Sequence, residues 1–280
     1  MSARYSGPDA TFAARLLLTA AATAAASVPF ALSLVLVESG WPPLHRLDRA
    51  AAERLHQAAL GHPGWVSVLH VLTDFVWDPV TMRLLVALLA LWLLTRRALR
   101  LAAWASVTAM AGALTGVLVK SVVERARPHL PDPVAHAPGF SFPSGHAMTA
   151  VTSCAVLLFV LLPLVPRAWR PVPWALAVVS VAGVGYTRVA LGVHWVSDVV
   201  GGWLLGLAVV TATTLVFEAW RADTGRRRTV VMREGLEPEL SAPAPEPPLD
   251  VRASELPPSP PASPSPPASP SSRGADDPRD

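Results

Sequence analysis

Lysine is nearly missing from this 280-residue chain: Lys120 is the only one, and arginine carries the rest of the positive charge. Charge of either sign is scarce. Charged residues make up 15% of the chain, against about a quarter in soluble domains, which excludes an ordinary water-facing surface. Cysteine is reduced to Cys154, inside an apolar run, so no intramolecular disulfide can form and a packing role is expected. The formal net charge of +3 does not indicate a nucleic-acid partner, because the arginines flank apolar runs instead of forming one basic face.

What the chain has in abundance is apolar sequence, 52% of its residues. Six runs are long enough to consider as membrane spans, given that a helix needs about 20 residues to cross the hydrocarbon. They lie near Leu16 to Val37, Thr81 to Thr95, Leu101 to Val122, Ala147 to Val165, Val172 to Val189 and Trp195 to Phe217. The second is short unless Val66 to Trp77 adds a re-entrant or interfacial piece. The first imitates a signal peptide but continues past its small-residue triplet, so an uncleaved span is expected. The expected fold is therefore an all-α, polytopic bundle of six transmembrane helices.

The organisation read from this pattern is an N-terminus over 1–15, a membrane domain over 16–220 and a tail over 221–280. The tail is basic at first, then rich in Pro and Ser, a composition that cannot bury a core and is expected to be disordered. Arg4, Arg15, Arg96, Arg97, Arg100, Arg167, Arg170, Arg221 and Arg226 to Arg228 all fall on one side of a six-span arrangement. The positive-inside rule makes that side, and both termini, cytoplasmic. The arginine- and alanine-rich, lysine-poor composition suggests a bacterial plasma membrane as the setting. Between the first two spans, His45 to Leu60 reads as a short helix with Leu44, Leu47, Ala51, Leu55 and Ala59 on one stripe. It is expected either to lie in the outer leaflet or to pack over the bundle.

Three polar blocks end on the other, extracytoplasmic side: KSVVERARP from Lys120, PSGH from Pro143, and TRVALGVHWVSD ending at Asp198. Lys120 and Arg127 are seven residues apart, nearly two helical turns, and are expected to leave one helix face and converge on one anion before Pro128 stops the helix. Glu124 shares that face, whereas Arg125 points elsewhere and reads as structural. Ser144 reads as an N-cap, with Gly145 leaving the backbone open to a ligand at a helix start that suits phosphate oxygens. His146 follows in the first turn. Arg188 ends the fifth run, and His194 lies four residues before Asp198, a spacing at which a carboxylate can fix the imidazole tautomer. Each block alone is a weak signal, since basic residues near span ends often only snorkel to the interface. Their meeting on one membrane side is what carries weight.

Together these blocks resemble the type 2 phosphatidic acid phosphatase superfamily of membrane lipid phosphatases, which also includes vanadium haloperoxidases and soluble acid phosphatases. That pattern is Lys, six residues, Arg-Pro; then Pro-Ser-Gly-His; then Ser-Arg, five residues, His, three residues, Asp. The chain keeps every spacing and departs once, with Thr187 in place of serine; the resemblance covers residues 65–217. The resemblance implies that His194 attacks phosphorus to form a phosphohistidine, that Asp198 orients it, and that His146 protonates the leaving oxygen and then activates water. Lys120, Arg127, Arg188, Ser144 and Gly145 would hold the non-bridging oxygens, with no metal and no cofactor. The expected substrate is a membrane lipid phosphate, with a polyprenyl diphosphate such as undecaprenyl diphosphate favoured over phosphatidic acid or phosphatidylglycerophosphate. Two other readings stay open: a scaffold or lipid-phosphate transporter that keeps the anion site, and a zinc hydrolase using His129, Asp132, His136 and His146.

Overall fold

A computed structural model describes residues 8–223, with side chains described over 14–220. The tail expected to be disordered lies outside the described residues from 224 onward, its first three residues ending the last helix. The elements are α1 (Pro8–Glu38), α2 (Pro42–Leu60), α3 (Pro63–Val71), a π-helical turn over Leu72–Val76, α4 (Pro79–Thr95), α5 (Leu99–Val123), α6 (Gly145–Leu161), α7 (Pro171–Ala190) and α8 (Val196–Asp223). Six helical segments are long and apolar enough to cross a membrane, and the protein is a multi-pass, all-α membrane protein as its apolar runs predict. Leu84, Leu88 and Leu91 on α4, Met110, Leu114 and Val117 on α5, and Leu176 and Val179 on α7 all point outward. In water such faces would be a severe liability; in lipid they are the expected surface.

The second span is built from two pieces. α4, at 17 residues, rises only about 26 Å, and its start is fixed by Asp78, whose Oδ2 accepts from Val80 N (2.7 Å) and Thr81 N (3.2 Å). Before it, α3 packs Leu69 against Ala190, Leu191 and Val193 at the end of α7. The Val66 to Trp77 stretch therefore lies with the loops at one end of the bundle. Asp78 and Trp77 serve as anchors there: a side chain at Gly183 on α7 would meet the Trp77 ring at 2.2 Å.

The other end of the bundle is held by a core of Leu89 and Leu93 on α4, Leu101, Trp104 and Ala105 on α5, Val156 and Val160 on α6, and Phe217 on α8. Arg96 lies over Trp92 (5.6 Å) and Arg100 over Trp220 (5.0 Å) at that end, basic and aromatic pairs of the kind that anchor a helix at the interface.

α2 packs over the bundle through part of the expected stripe, with Ala59 buried and Leu55 packed against the clusters around Ala52 and Leu69. Its buried residues are Asp48, Ala52, His56 and Ala59, while Leu47 is 55% exposed. A periodic reading favours the larger apolar residues. Here the inward edge is set by two polar side chains that have partners below, and Ala52 lets the helix approach closely.

α6 and α8 meet at small residues. A Cβ at Gly202 would lie 2.6 Å from the Ser144 carbonyl oxygen, and one at Gly206 would lie 3.1 Å from the Met148 oxygen. Both obstacles are backbone, which cannot rotate away. Gly202→Ala is therefore expected to cost about 1–3 kcal/mol of stability, read as a lowered unfolding midpoint, and to reduce activity by displacing the start of α6.

Candidate active site

The three blocks come together at one end of the bundle, and local backbone chemistry explains their spacings. α7 ends at Ala190, and the chain reverses through Gly192, whose φ of +72° suits glycine. The reversal lets the N–H groups of Val193 and His194 both donate to the Arg188 carbonyl, each at 3.2 Å. Arg188 and His194 are thus held in one closed turn. α8 then begins at Val196, so His194 precedes the helix and Asp198 sits in its first turn. Asp198 Oδ2 accepts from Trp195 N (2.8 Å) and faces His194 Nδ1 at 3.3 Å.

Lys120 and Arg127 do converge, but not as residues of one helix. α5 stops at Val123, and Glu124 adopts a left-handed conformation with φ 49°. Glu124 is exposed, and no ion pair joins it to either cation. Beyond it the chain leaves regular structure, and Arg125 and Arg127 take different partners. Lys120 Nζ and Arg127 Nη2 both donate to the Phe140 carbonyl, at 3.0 and 3.2 Å. The two side chains share this carbonyl by a path other than one helix face, because the helix ends four residues earlier than Pro128 suggests.

Arg127 uses all five of its donors. Nε donates to Gly139 O (2.9 Å), Nη2 to Pro138 O (3.1 Å) and Phe140 O, and Nη1 to Val193 O (2.7 Å) and His194 Nε2 (3.1 Å). An arginine donor on Nε2 means that this nitrogen carries a lone pair, and the proton is then on Nδ1, facing Asp198. Burial pushes the His194 pKa down to about 4, with the Asp198 hydrogen bond and charge opposing and the Arg188 and Arg127 charges adding to the drop. At neutral pH the imidazole is uncharged. Burial likewise lowers the Arg127 pKa.

Arg188 is buried, donates from Nη1 to Thr73 Oγ1 (3.2 Å), and leaves its Nε–H without a partner. A buried guanidinium N–H facing no acceptor is costly unless an anion completes it. Ser144 is the N-cap of α6, with its Oγ accepting from Ala147 N at a long 3.5 Å, and its N–H donates to the Asp198 carbonyl (2.9 Å). The start of α6 is thereby tied to the first turn of α8. A Cβ at Gly145 would meet nothing within 4 Å, so the backbone there is open to a ligand. His146 is half-buried, and its imidazole makes no hydrogen bond to another described residue. The Thr187 hydroxyl donates back to Val184 O (2.8 Å), which accounts for the tolerance of threonine there.

Several residues hold the site in ways that the sequence does not assign to them. Ser141 Oγ donates to Asp198 Oδ2. Arg125 Nη1 donates to Asp198 Oδ1 (2.6 Å), and Arg125 Nη2 donates to Asp48 Oδ2 (2.8 Å) on α2. Arg125 shares no partner with Arg127, yet it holds the same carboxylate that orients His194. The signal for Arg125 lay only in its charge beside Arg127; Asp48 carried none. Arg83 also reaches this end of the bundle, with Nη2 donating to Thr149 Oγ1 (3.3 Å), one turn past His146.

The zinc set is not assembled. His129 and His136 line a pocket of about 220 Å³ together with His56 and Arg127, and neither Asp132 nor His146 borders it. Among the described residues, no three His, Cys, Asp or Glu side chains group as metal ligands.

Residues 100–222 match the model of the PAP2 superfamily. The chain is 40% identical over 96 residues to a phosphatidylglycerophosphatase B of Bacillus subtilis, covering 34% of this chain and 47% of that protein. It is 31% identical over 140 residues to an undecaprenyl-diphosphatase of Sulfolobus acidocaldarius, covering 48% of this chain and 59% of that protein. The matches thus span about half the length of these curated relatives. The crystal structure of a transmembrane PAP2-type phosphatidylglycerolphosphate phosphatase from Bacillus subtilis superposes with a TM-score of 0.57 at 25% identity, over 72% of this chain and 98% of that one. The matched stretch contains Lys120, Arg127, the PSGH turn, Arg188, His194 and Asp198, so the likeness to the PAP2 superfamily covers all three blocks.

Proposed function

We propose that this protein is an integral membrane phosphatase that removes a terminal phosphate from a lipid through a phosphohistidine on His194, without a metal. The observation that carries the reading is the state of His194: a neutral imidazole with Asp198 at Nδ1 and a lone pair on Nε2 beside Arg127. That lone pair attacks phosphorus in line as the phosphorus–oxygen bond to the lipid breaks, and the departing oxygen takes a proton from His146. Water then attacks the phosphohistidine and loses a proton to His146, the phosphorus–nitrogen bond breaks, and inorganic phosphate leaves. Each step needs charge placed where the non-bridging oxygens sit. Lys120, the unpartnered Arg188 Nε–H, the Ser144 hydroxyl and the open Gly145 backbone supply it. Arg127 adds its Nη1 donor once a phosphate oxygen takes that donor from His194.

A lipid is the substrate class that suits this position. A cavity of about 760 Å³ opens between α6, α7 and α8, walled by Val151, Leu158, Val178, Val181, Ala182 and Leu207 and reaching Arg170 and Trp174 at the start of α7, and its apolar lining suits a hydrocarbon chain. The relatives named for phosphatidylglycerophosphate and undecaprenyl diphosphate support head groups of those two kinds. A polyprenyl diphosphate is our preferred substrate, because recycling such a carrier calls for a site on the extracytoplasmic side. The arginine distribution favours that side for the site and the cytoplasm of a bacterial cell for both termini.

The test is phosphate release by the purified full-length protein from undecaprenyl diphosphate, phosphatidylglycerophosphate and phosphatidic acid, with and without chelator. Release that is unchanged by chelator, and fastest from the diphosphate, is expected. Release abolished by chelator would reject the metal-free mechanism, and no release from any lipid would favour a scaffold or transporter.

A further inference from the structure

We infer that Asp48, on α2, is a positioning residue of this reaction: it shares the Arg125 guanidinium with Asp198 and thereby sets how much negative charge faces His194. The inference rests on the reading of His194 as nucleophile. It concerns a residue outside the stretch 100–222 that matches the family.

The contacts are complete and buried. Asp48 is 1% exposed. Its Oδ2 accepts from Arg125 Nη2 (2.8 Å) and from the Ser197 hydroxyl (2.5 Å), and its Oδ1 accepts from Ser197 N (2.9 Å). The other end of Arg125 donates from Nη1 to Asp198 Oδ1 (2.6 Å) and to Ser197 Oγ (2.7 Å). One guanidinium therefore bridges two carboxylates, and the Trp195 ring covers it at 5.7 Å. Remaining lone pairs on Asp198 are filled by Ser141, Trp195 N and His194.

Charge counting gives the consequence. Asp48 (−1), Arg125 (+1) and Asp198 (−1) sum to −1, so this cluster, which meets His194 at Nδ1, carries one net negative charge opposite the Arg127 cation at Nε2. As Nε2 bonds to phosphorus the imidazole becomes cationic, and in a buried site that residual charge stabilises it strongly. Without the Asp48 charge, Arg125 would neutralise Asp198 alone, and the sum would fall to zero. If Asp48 served only to tie α2 down, any neutral side chain that kept the fold would do. The two roles separate when charge is varied in compensating pairs.

The experiment measures kcat and KM of the full-length protein on a lipid phosphate for Asp48→Asn, Arg125→Gln, the double variant and His194→Ala, with unfolding midpoints alongside. Asp48→Asn is expected to lower kcat by about tenfold or more with KM within about twofold. The double variant restores the net charge to −1 and is expected to be at least about threefold faster than Asp48→Asn. Wild-type kcat in Asp48→Asn, or a double variant no faster than it, would overturn the inference. Should Asp48→Asn not fold, the double variant decides alone: kcat within about tenfold of wild type supports the charge role, and a larger loss overturns it. Activity surviving in His194→Ala would reject the nucleophile itself, a separate outcome.

Discussion

His194→Ala is expected to reduce lipid phosphate hydrolysis by on the order of 10⁴-fold or more, with the protein still folded in the membrane. The expectation follows from what remains after truncation. Arg127, Arg188 and Lys120 would still gather a phosphate, but no group with a free lone pair would face phosphorus. The side chain is small enough, and the surrounding carbonyls on Arg127 numerous enough, that the local fold should survive. Substrate binding should therefore persist while turnover is lost. The same histidine sets the acid limb of the wild-type pH profile. Because its pKa is lowered to about 4, the neutral, nucleophilic form persists well below the ordinary imidazole value near 6.5. Activity should fall as pH drops through about 4. A limb near 6.5 set by this residue would mean that His194 is not buried as described.

His146→Ala is expected to be nearly as damaging on lipid monophosphates, by about 10²–10⁴-fold, but with a different signature. The half-buried imidazole stands in the first turn of α6, beside the open Gly145 backbone, and has two successive tasks. A lipid alkoxide is a poor leaving group, so the first step suffers without a proton donor. An aryl phosphate needs no such help, and the variant should still phosphorylate His194 with it. Water activation would remain impaired, so the phosphohistidine should accumulate. Rapid mixing with p-nitrophenyl phosphate is expected to give a burst of one phenolate per active protein followed by slow release. His194→Ala should give no burst. Equal bursts in both variants would reverse or abolish the assigned roles.

How much of this was legible before the fold was known depended on contact range. The six spans and the Ser144 cap follow from local pattern: apolar length, and a hydroxyl before a helix. Arg188 and His194 were legible because a helix end and a glycine turn fix their separation. The path of the Lys120–Arg127 pair was not legible, since nothing before Pro128 advertises a helix end at Val123 with Glu124 left-handed. Asp48 was invisible. Its contact with Ser197 spans 149 residues, and on α2 it is not one of the apolar residues that periodicity favours. Arg125 was legible as structural, but its role needed both carboxylates in view. Long-range polar partners are chosen by the tertiary fold, and hydrophobic period carries no record of them.

The most direct measurement of the central claim is to quench His146→Ala within one turnover of ³²P-labelled p-nitrophenyl phosphate and map the label by peptide. The account predicts an acid-labile phosphate on the peptide that carries His194, absent when His194 is also replaced. A labelled peptide elsewhere in the chain, or hydrolysis by wild type with no labelled protein at any time point, would contradict it.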